Sequence, residues 1–218
     1  MVLGLIPLGT ANDLARNWGI PQDLNQAVDL LAKGQTRAVD VIATQSGEYI
    51  AGAGGVGFDA AVIERAHRFR RYWQGISPFL LAIFLEWVRY RPPWISIAAA
   101  NWQYHGPAWQ VLFTNIPQYA RYVKTAAVGK LDDGLMEILL VPRLSKLHLL
   151  ALTPFFLSLG FKGLPMAQSL SASEAALQSS FPLTVQGDGE LIGKTPMAFR
   201  VLPQALKVMM PAFIPGLT

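Results

Sequence analysis

The chain has 218 residues, 52% of them hydrophobic and only 15% charged, which supplies ample core and excludes a disordered chain. A net charge of +4, from 18 basic and 14 acidic residues, is a mild excess that suits a phosphate-bearing ligand or an anionic surface and is no nucleic-acid signature. With no cysteine, disulfides and thiolate metal sites are ruled out and a reducing compartment is compatible.

The chain opens on the apolar run Leu3-Gly4-Leu5-Ile6-Pro7-Leu8-Gly9, followed by Thr10-Ala11-Asn12-Asp13-Leu14-Ala15-Arg16. This order reads as strand, tight loop and helix start, where unpaired backbone N–H groups favour an anion. Gly9 can take a positive φ and let a ligand approach the backbone. Thr10 and Asp13 have capping-box spacing, which an ordinary capped helix also shows. A helix from about Thr10 to Trp18 is expected, stopped by Gly19-Ile20-Pro21. Met1 to Ile6 lacks a basic n-region and ends at Pro7, so no signal peptide is read.

A second helix carries Leu24, Ala27, Val28 and Leu31 as its apolar stripe, with Asp23 or Asn25 as cap and Gly34 as its stop. Ala38 to Ala43 reads as a strand, turned at Ser46-Gly47 into a hairpin with Tyr49-Ile50-Ala51. Gly52-Ala53-Gly54-Gly55-Val56-Gly57 is formally G-x-G-x-x-G. A dinucleotide site would need a βαβ unit with a distal acidic residue; the competing reading is a close backbone crossing. Residues 65–71 form a dense basic patch, read as a solvated stretch or as a contact for anionic headgroups, ahead of an apolar helix over Phe79 to Tyr90.

Strands are expected over Trp94–Ala99, Gln103-Tyr104 and Ala108–Thr114, with a turn at His105-Gly106-Pro107. Another covers Leu135–Val141. A helix over 145–162 has Pro154 as the place for a bend. Leu183–Gln186, Pro196–Val201 and Ala205–Met209 close the chain as strands. The pattern over 166–180 suits a helix by composition. The longest apolar stretch, 147–161, is interrupted by His148, Pro154 and Ser158 and is shorter than the roughly 18–20 residues that span a bilayer. The expectation is a soluble or peripheral chain.

Two further islands could carry chemistry. Lys130-Leu131-Asp132-Asp133-Gly134-Leu135 is a turn, and its carboxylates and carbonyls also make an oxygen-rich site suited to Mg2+. Gln186-Gly187-Asp188-Gly189-Glu190 is another turn, which would expose both acids; phosphoryl transfer needs such a base and a means to hold metal-bound phosphates.

Ile6 to Ala15 resembles the Pro-x-Gly-Thr-x-Asn-Asp-[Phe/Leu]-Ala motif of the diacylglycerol kinase catalytic family, most of all its bacterial lipid kinases. That family also includes sphingosine kinases. Gly55-Val56-Gly57-Phe58-Asp59-Ala60, Lys130-Leu131-Asp132-Asp133-Gly134, Asp188-Gly189-Glu190 and Phe199 to Val208 follow in the family's order, so the resemblance covers essentially the whole chain. It implies that Gly9, Thr10, Asn12 and Asp13 border an ATP site. It also implies that Asp133, with the carbonyls of Lys130 and Leu135, holds a structural Mg2+ distinct from the one carried with ATP. Glu190 would be the general base, with Asp188 its acidic partner. By the same resemblance, 166–180 becomes a strand.

The resemblance departs in two places. The family's Gly-Gly-Asp-Gly-Thr loop is not among these residues, and residues 118–129 lack the Gly-Gly-Gly run of many relatives. The resulting expectation is an α+β chain. Residues 1–43 would be the remnant of an α/β nucleotide-binding domain, and 44–218 an antiparallel β-sandwich with covering helices, with room for the last strands to return to the first part. The expected parent activity is ATP-dependent phosphorylation of diacylglycerol or a similar lipid, with little activity in this chain alone. A non-catalytic lipid-binding module and a soluble-substrate kinase related to NAD kinases are the rivals. No nucleic-acid partner is expected. A cytoplasmic location is expected, with peripheral contact at the inner membrane face and a homodimer both left open.

Overall fold

The computed structural model describes residues 1–9, 11–71, 75–119, 123–125 and 130–212. In chain order the elements are β1 (Val2–Leu3), α1 (Asp13–Asn17), α2 (Leu24–Lys33), β2 (Gln35–Thr44), β3 (Tyr49–Ile50), β4 (Ala53–Gly57), α3 (Phe58–Arg70) and α4 (Ser77–Arg89). They continue as β5 (Trp94–Ala99), β6 (Trp102–Thr114), β7 (Gln118–Tyr119), β8 (Val123–Lys124), β9 (Met136–Pro142) and α5 (Lys146–Leu159). Then come a 3-10 turn (Gly160–Gly163), β10 (Gln168–Ala172), β11 (Glu174–Ser179), β12 (Thr184–Gly187), β13 (Glu190–Lys194) and β14 (Met197–Met210).

This is an α+β fold built on one curled, almost wholly antiparallel sheet of 12 strands. One half runs β3-β2-β14-β11-β5 and the other β13-β12-β4, with β9 and β10 beside it; β6 belongs to both. Its residues 102–107 pair with β5, and residues from Ala108 onward pair with β9 and β4. The two halves face each other across the main core, where Phe113 stacks on Phe199 at a centroid distance of 4.0 Å. Ile42, Ile97, Leu177 and Val201 enter that core from one half, and Val56, Val111, Ile138 and Val185 from the other. A sheet curled over in this way buries the inward-facing residues of its strands, as the alternation in β5 and β11 shows.

The turn expected at His105-Gly106-Pro107 is not there. The hairpin closes earlier, through Ala100-Asn101, and β6 runs unbroken through Pro107. Proline is tolerated because it sits where β6 passes from one half to the other, next to a register shift, and its missing N–H interrupts no regular ladder. The last two expected strands are likewise one. β14 pairs with β2 along its whole length across a bulge between Leu202 and Leu206, and pairs in parallel with β1.

The glycine run 52–57 forms a central strand. A Cβ on Gly55 would lie 2.2 Å from the Val111 carbonyl oxygen, and one on Gly57, at φ 132°, 2.4 Å from that of Trp109. The glycines let β4 pass closely between β12 and β6. β4 is antiparallel to both neighbours, so the βαβ unit of a dinucleotide site is absent here. α2 forms where expected, with the Asp23 side chain accepting from the Gln26 N–H. Among the described residues no helix is long and apolar enough to cross a membrane.

Candidate active site

The Asp188-Gly189 turn between β12 and β13 is held from below. Asp188 adopts φ 49°, a left-handed conformation that aspartate tolerates better than most residues. One carboxylate oxygen accepts the N–H groups of Gly52 at 2.9 Å and Ala53 at 3.0 Å, and the other accepts that of Ala51 at 2.7 Å. The residue sits at an exposed turn, but desolvation of its carboxyl pushes it above its ordinary value, the three backbone donors pull it back, and the nearby Asp13 charge adds to the rise. Glu190, two residues on, is the opposite case: 73% of its side chain is exposed, and its carboxylate lies 4.0 Å from His67 Nε2 of α3.

Beneath the turn lies a half-buried polar network, among whose side chains Gln186 alone is fully buried. Asp59, in the first turn of α3, accepts from Gln110 Nε2 at 2.6 Å, the Ala60 N–H at 2.6 Å, Gln186 Nε2 at 2.9 Å and the Tyr119 hydroxyl at 3.1 Å. Gln110 Oε1 in turn accepts the Asp59 N–H, and Gln186 Oε1 accepts the Gly189 N–H at 3.3 Å. The network therefore joins α3, β6, β7 and β12 and ends on the turn that carries Asp188 and Glu190. Burial raises the Asp59 carboxyl above its ordinary range against the pull of its donors. The Tyr119 phenol is raised well above its own by burial and by Asp59.

Asp13 and Leu14 lie near the same turn. Asp13 is close enough for its charge to raise both Asp188 and Tyr119, and Leu14 would contact a side chain placed on Gly52. Asn17 donates to the Gln118 carbonyl and accepts the Gln118 N–H, fixing α1 to β7. The local geometry differs from a capping box. α1 begins only at Asp13, and the residue before it, Asn12, is the one with a positive φ, 53°, and makes no side-chain cap. Gly9 is not in that region of backbone space. The Asn12 amide donates back to the Pro7 carbonyl at 3.1 Å, so it shapes the loop. Thr10, expected at a nucleotide-contacting position, lies outside the described residues, as do 120–122 and 126–129 of the departing loop.

The 130–135 turn is organised from a different point. Asp40 of β2, fully buried, accepts the Gly134 N–H at 2.6 Å and the Gln204 N–H at 2.7 Å, while its own N–H donates to the Leu131 carbonyl at 2.7 Å. Asp133 accepts the Leu135 N–H at 3.0 Å, and Asp132 pairs with Arg37 at 3.7 Å. No hydrogen bond or ion pair among the described residues joins this turn to Asp188 or Glu190. No three acids or histidines among them cluster around a metal position either. One carboxylate, Asp133, with the carbonyls of Lys130 and Leu135 is nevertheless a hard, all-oxygen donor set of the kind Mg2+ takes.

The YegS C-terminal NAD kinase beta sandwich-like domain matches residues 52–210, most of the chain, and the diacylglycerol kinase catalytic domain matches residues 1–44. The chain belongs to the diacylglycerol kinase family. Its lipid-kinase relatives include the diacylglycerol kinase of Mycobacterium tuberculosis, 28% identical over 219 residues covering 96% of this chain and 69% of that one. Another is the diacylglycerol kinase of Staphylococcus saprophyticus, 26% identical over 217 residues covering 96% and 68%. A solved diacylglycerol kinase of Bacillus anthracis superposes with a TM-score of 0.66 at 16% identity, covering 98% of this chain and 67% of that one. A second structure from that organism superposes at 0.76 and 21%, covering 100% and 71%. At such identities the likeness carries the fold.

Within this kinase fold, the residues the sequence did not single out are Gln110, Tyr119, Gln186 and Asp40, together with any role for Asp59. Their signal was a polar residue interrupting an apolar strand, as in Trp109-Gln110-Val111 and Val39-Asp40-Val41. Such a residue must be paired when its strand is buried.

Proposed function

We propose that this chain serves an ATP-dependent lipid kinase. The lipid hydroxyl oxygen attacks the γ-phosphorus, the bond to the bridging oxygen breaks to leave ADP, and the hydroxyl proton passes to the Glu190 carboxylate. The observation that supports this reading is the contrast within one turn: Asp188 is clamped by three backbone donors while Glu190, two residues away, is presented to solvent. Asp188 is then a positioning residue and Glu190 the base. Gly9, Thr10, Asn12 and Asp13 would border the nucleotide, and bound Mg2+ would neutralise charge on its phosphates. In this reading the chain divides near residue 43, the first part contributing to the nucleotide side and the rest to the lipid side.

The 218 residues carry no Gly-Gly-Asp-Gly-Thr loop, so by themselves they are expected to turn over little or no diacylglycerol. The test joins them, downstream, to a family segment that carries this loop and compares diacylglycerol with a panel of soluble alcohols and NAD. Phosphorylation of diacylglycerol is the expected result. A folded, ATP-binding chimera that phosphorylates only soluble substrates would overturn the lipid assignment.

The second ion has its own test. If Asp133, Lys130 and Leu135 hold a structural Mg2+, the metal at about 100 times its Kd stabilises the chain by about 2.7 kcal/mol. Urea unfolding with Mg2+ and with EDTA measures this, and Asp133→Ala abolishes the difference.

A further inference from the structure

α5 is apolar on every side, yet none of its side chains is fully buried. A helix of that kind ordinarily lies inside a core. Leu149, Leu152 and Phe156 lean on the protein. Leu147, Leu150, Phe155, Leu157 and Leu159 do not, and Leu147 is 78% exposed. α4 repeats the pattern. Its inner face packs Ala82 and Phe79 on α3, while Ile76, Leu80, Phe84 and Val88 form an outward stripe at helical spacing, with Phe84 64% exposed.

The two helices are tied at one end. Lys146 at the start of α5 donates to the Val88 carbonyl of α4 at 2.7 Å, so exposed Val88 and Leu147 lie at the joint. Trp109 stacks on Trp87 of α4 at 5.9 Å and donates its indole N–H to the carbonyl of Leu144, two residues before α5.

The exposed charge carried by these two segments has one sign. Residues 75–91 and 143–163 contain a single acid, Glu86, which is buried and paired with Arg65 at 2.5 Å. Arg89, Arg91 and Arg143 are exposed at the helix ends, close in sequence to the joint. An apolar surface rimmed by cations and cleared of anions matches an interface with negative headgroups at its edge and acyl chains beneath. A protein partner of ordinary composition would not require that clearance.

We propose that the outer faces of α4 and α5 together seat this protein on an anionic lipid bilayer, with Leu80, Phe84, Leu147 and Leu150 entering the interface and Arg89, Arg91, Arg143 and Lys146 meeting lipid phosphates. This deepens the lipid-kinase reading by naming the surface from which the substrate is drawn. α3 packs on α4 with Val62 and Ala66 and turns His67 toward Glu190, so the docking face lies one helix away from the proposed base.

The test is vesicle co-sedimentation of the 218-residue chain, which needs no turnover. Binding is expected to vesicles of phosphatidylcholine mixed equally with phosphatidylglycerol, to be weak with phosphatidylcholine alone, and to fall with salt. The L80E/F84E and L147E/L150E variants each lower the partition coefficient by about 10-fold or more, with unchanged urea unfolding, since all four positions are exposed. Failure to bind the mixed vesicles, equal binding to neutral ones, or variants that bind like the wild type would each overturn the proposal. So would light scattering that shows a dimer broken by L80E/F84E, because a second copy would then cover the face. In the loop-extended chimera, L80E/F84E keeps activity on short-chain diacylglycerol in solution and loses it on vesicles. A chimera inactive on both, with vesicle binding intact, would remove the kinase reading and leave the docking face standing.

Discussion

Asp59→Ala is expected to cost about 3–5 kcal/mol of unfolding free energy, read as a lowered urea midpoint at unchanged slope. The carboxylate is the acceptor for four donors, on Gln110, Ala60, Gln186 and Tyr119. Alanine leaves all four without it in a half-buried site, and a donor left unsatisfied where water is scarce costs more than an ordinary hydrogen bond contributes. Asp59→Asn keeps the shape and one acceptor oxygen but turns an NH2 group toward donors, so about half the loss is expected. The two variants also separate packing from charge. The folded-state carboxyl is raised above its ordinary value by burial. Its stabilisation is therefore fully present below about pH 3.9, the unfolded value, and is lost as pH rises through the folded one. The stability difference between wild type and Asp59→Asn should shrink from pH 3 upward. A difference that grows with pH would mean that the four donors outweigh burial and hold the carboxyl below its ordinary value.

The same network shows where sequence reading stopped. α2 was legible in its place and in one of its two candidate caps, Asp23, but not in its stripe: of Leu24, Ala27, Val28 and Leu31 only Ala27 is buried, and Leu24 and Val28 are exposed. The glycine crossing was legible because a run of four glycines in six residues has few other uses. The turn at Gly106-Pro107 was misplaced for a local reason: the pair marks turns in isolation, and only the partner strands reveal that it lies at a seam between half-sheets. Asp59, Gln110, Tyr119 and Gln186 span 127 residues between Asp59 and Gln186, and nothing in their spacing signals that they meet. The two acids of the 188–190 turn were legible as a pair by resemblance, but not their different fates, since those depend on the backbone of Ala51, Gly52 and Ala53. The apolar stretches that form α4 and α5 fitted a buried or a surface-docking helix equally well by composition, because an apolar stripe does not say on which side the protein lies.

Those different fates give the sharpest test of the candidate site. Asp188→Ala removes an acceptor from three backbone donors and places alanine at φ 49°, a conformation that suits it poorly. A loss of about 3 kcal/mol in stability is expected, with Asp188→Asn well short of that because asparagine tolerates the backbone and keeps an oxygen. Glu190→Gln touches an exposed side chain, so stability should stay within about 0.5 kcal/mol of wild type. In the loop-extended chimera the order reverses. Glu190→Gln lowers kcat by about 100- to 10,000-fold, the usual worth of a general base, with the KM for ATP unchanged. Asp188→Asn lowers kcat less, in step with how far the turn has loosened. If Glu190→Gln turned over normally while Asp188→Asn did not, the base would have to be Asp188, a carboxyl already fully engaged by the backbone. The clamp on Ala51, Gly52 and Ala53 would then have to open during each cycle, and amide exchange at those three N–H groups would quicken under turnover.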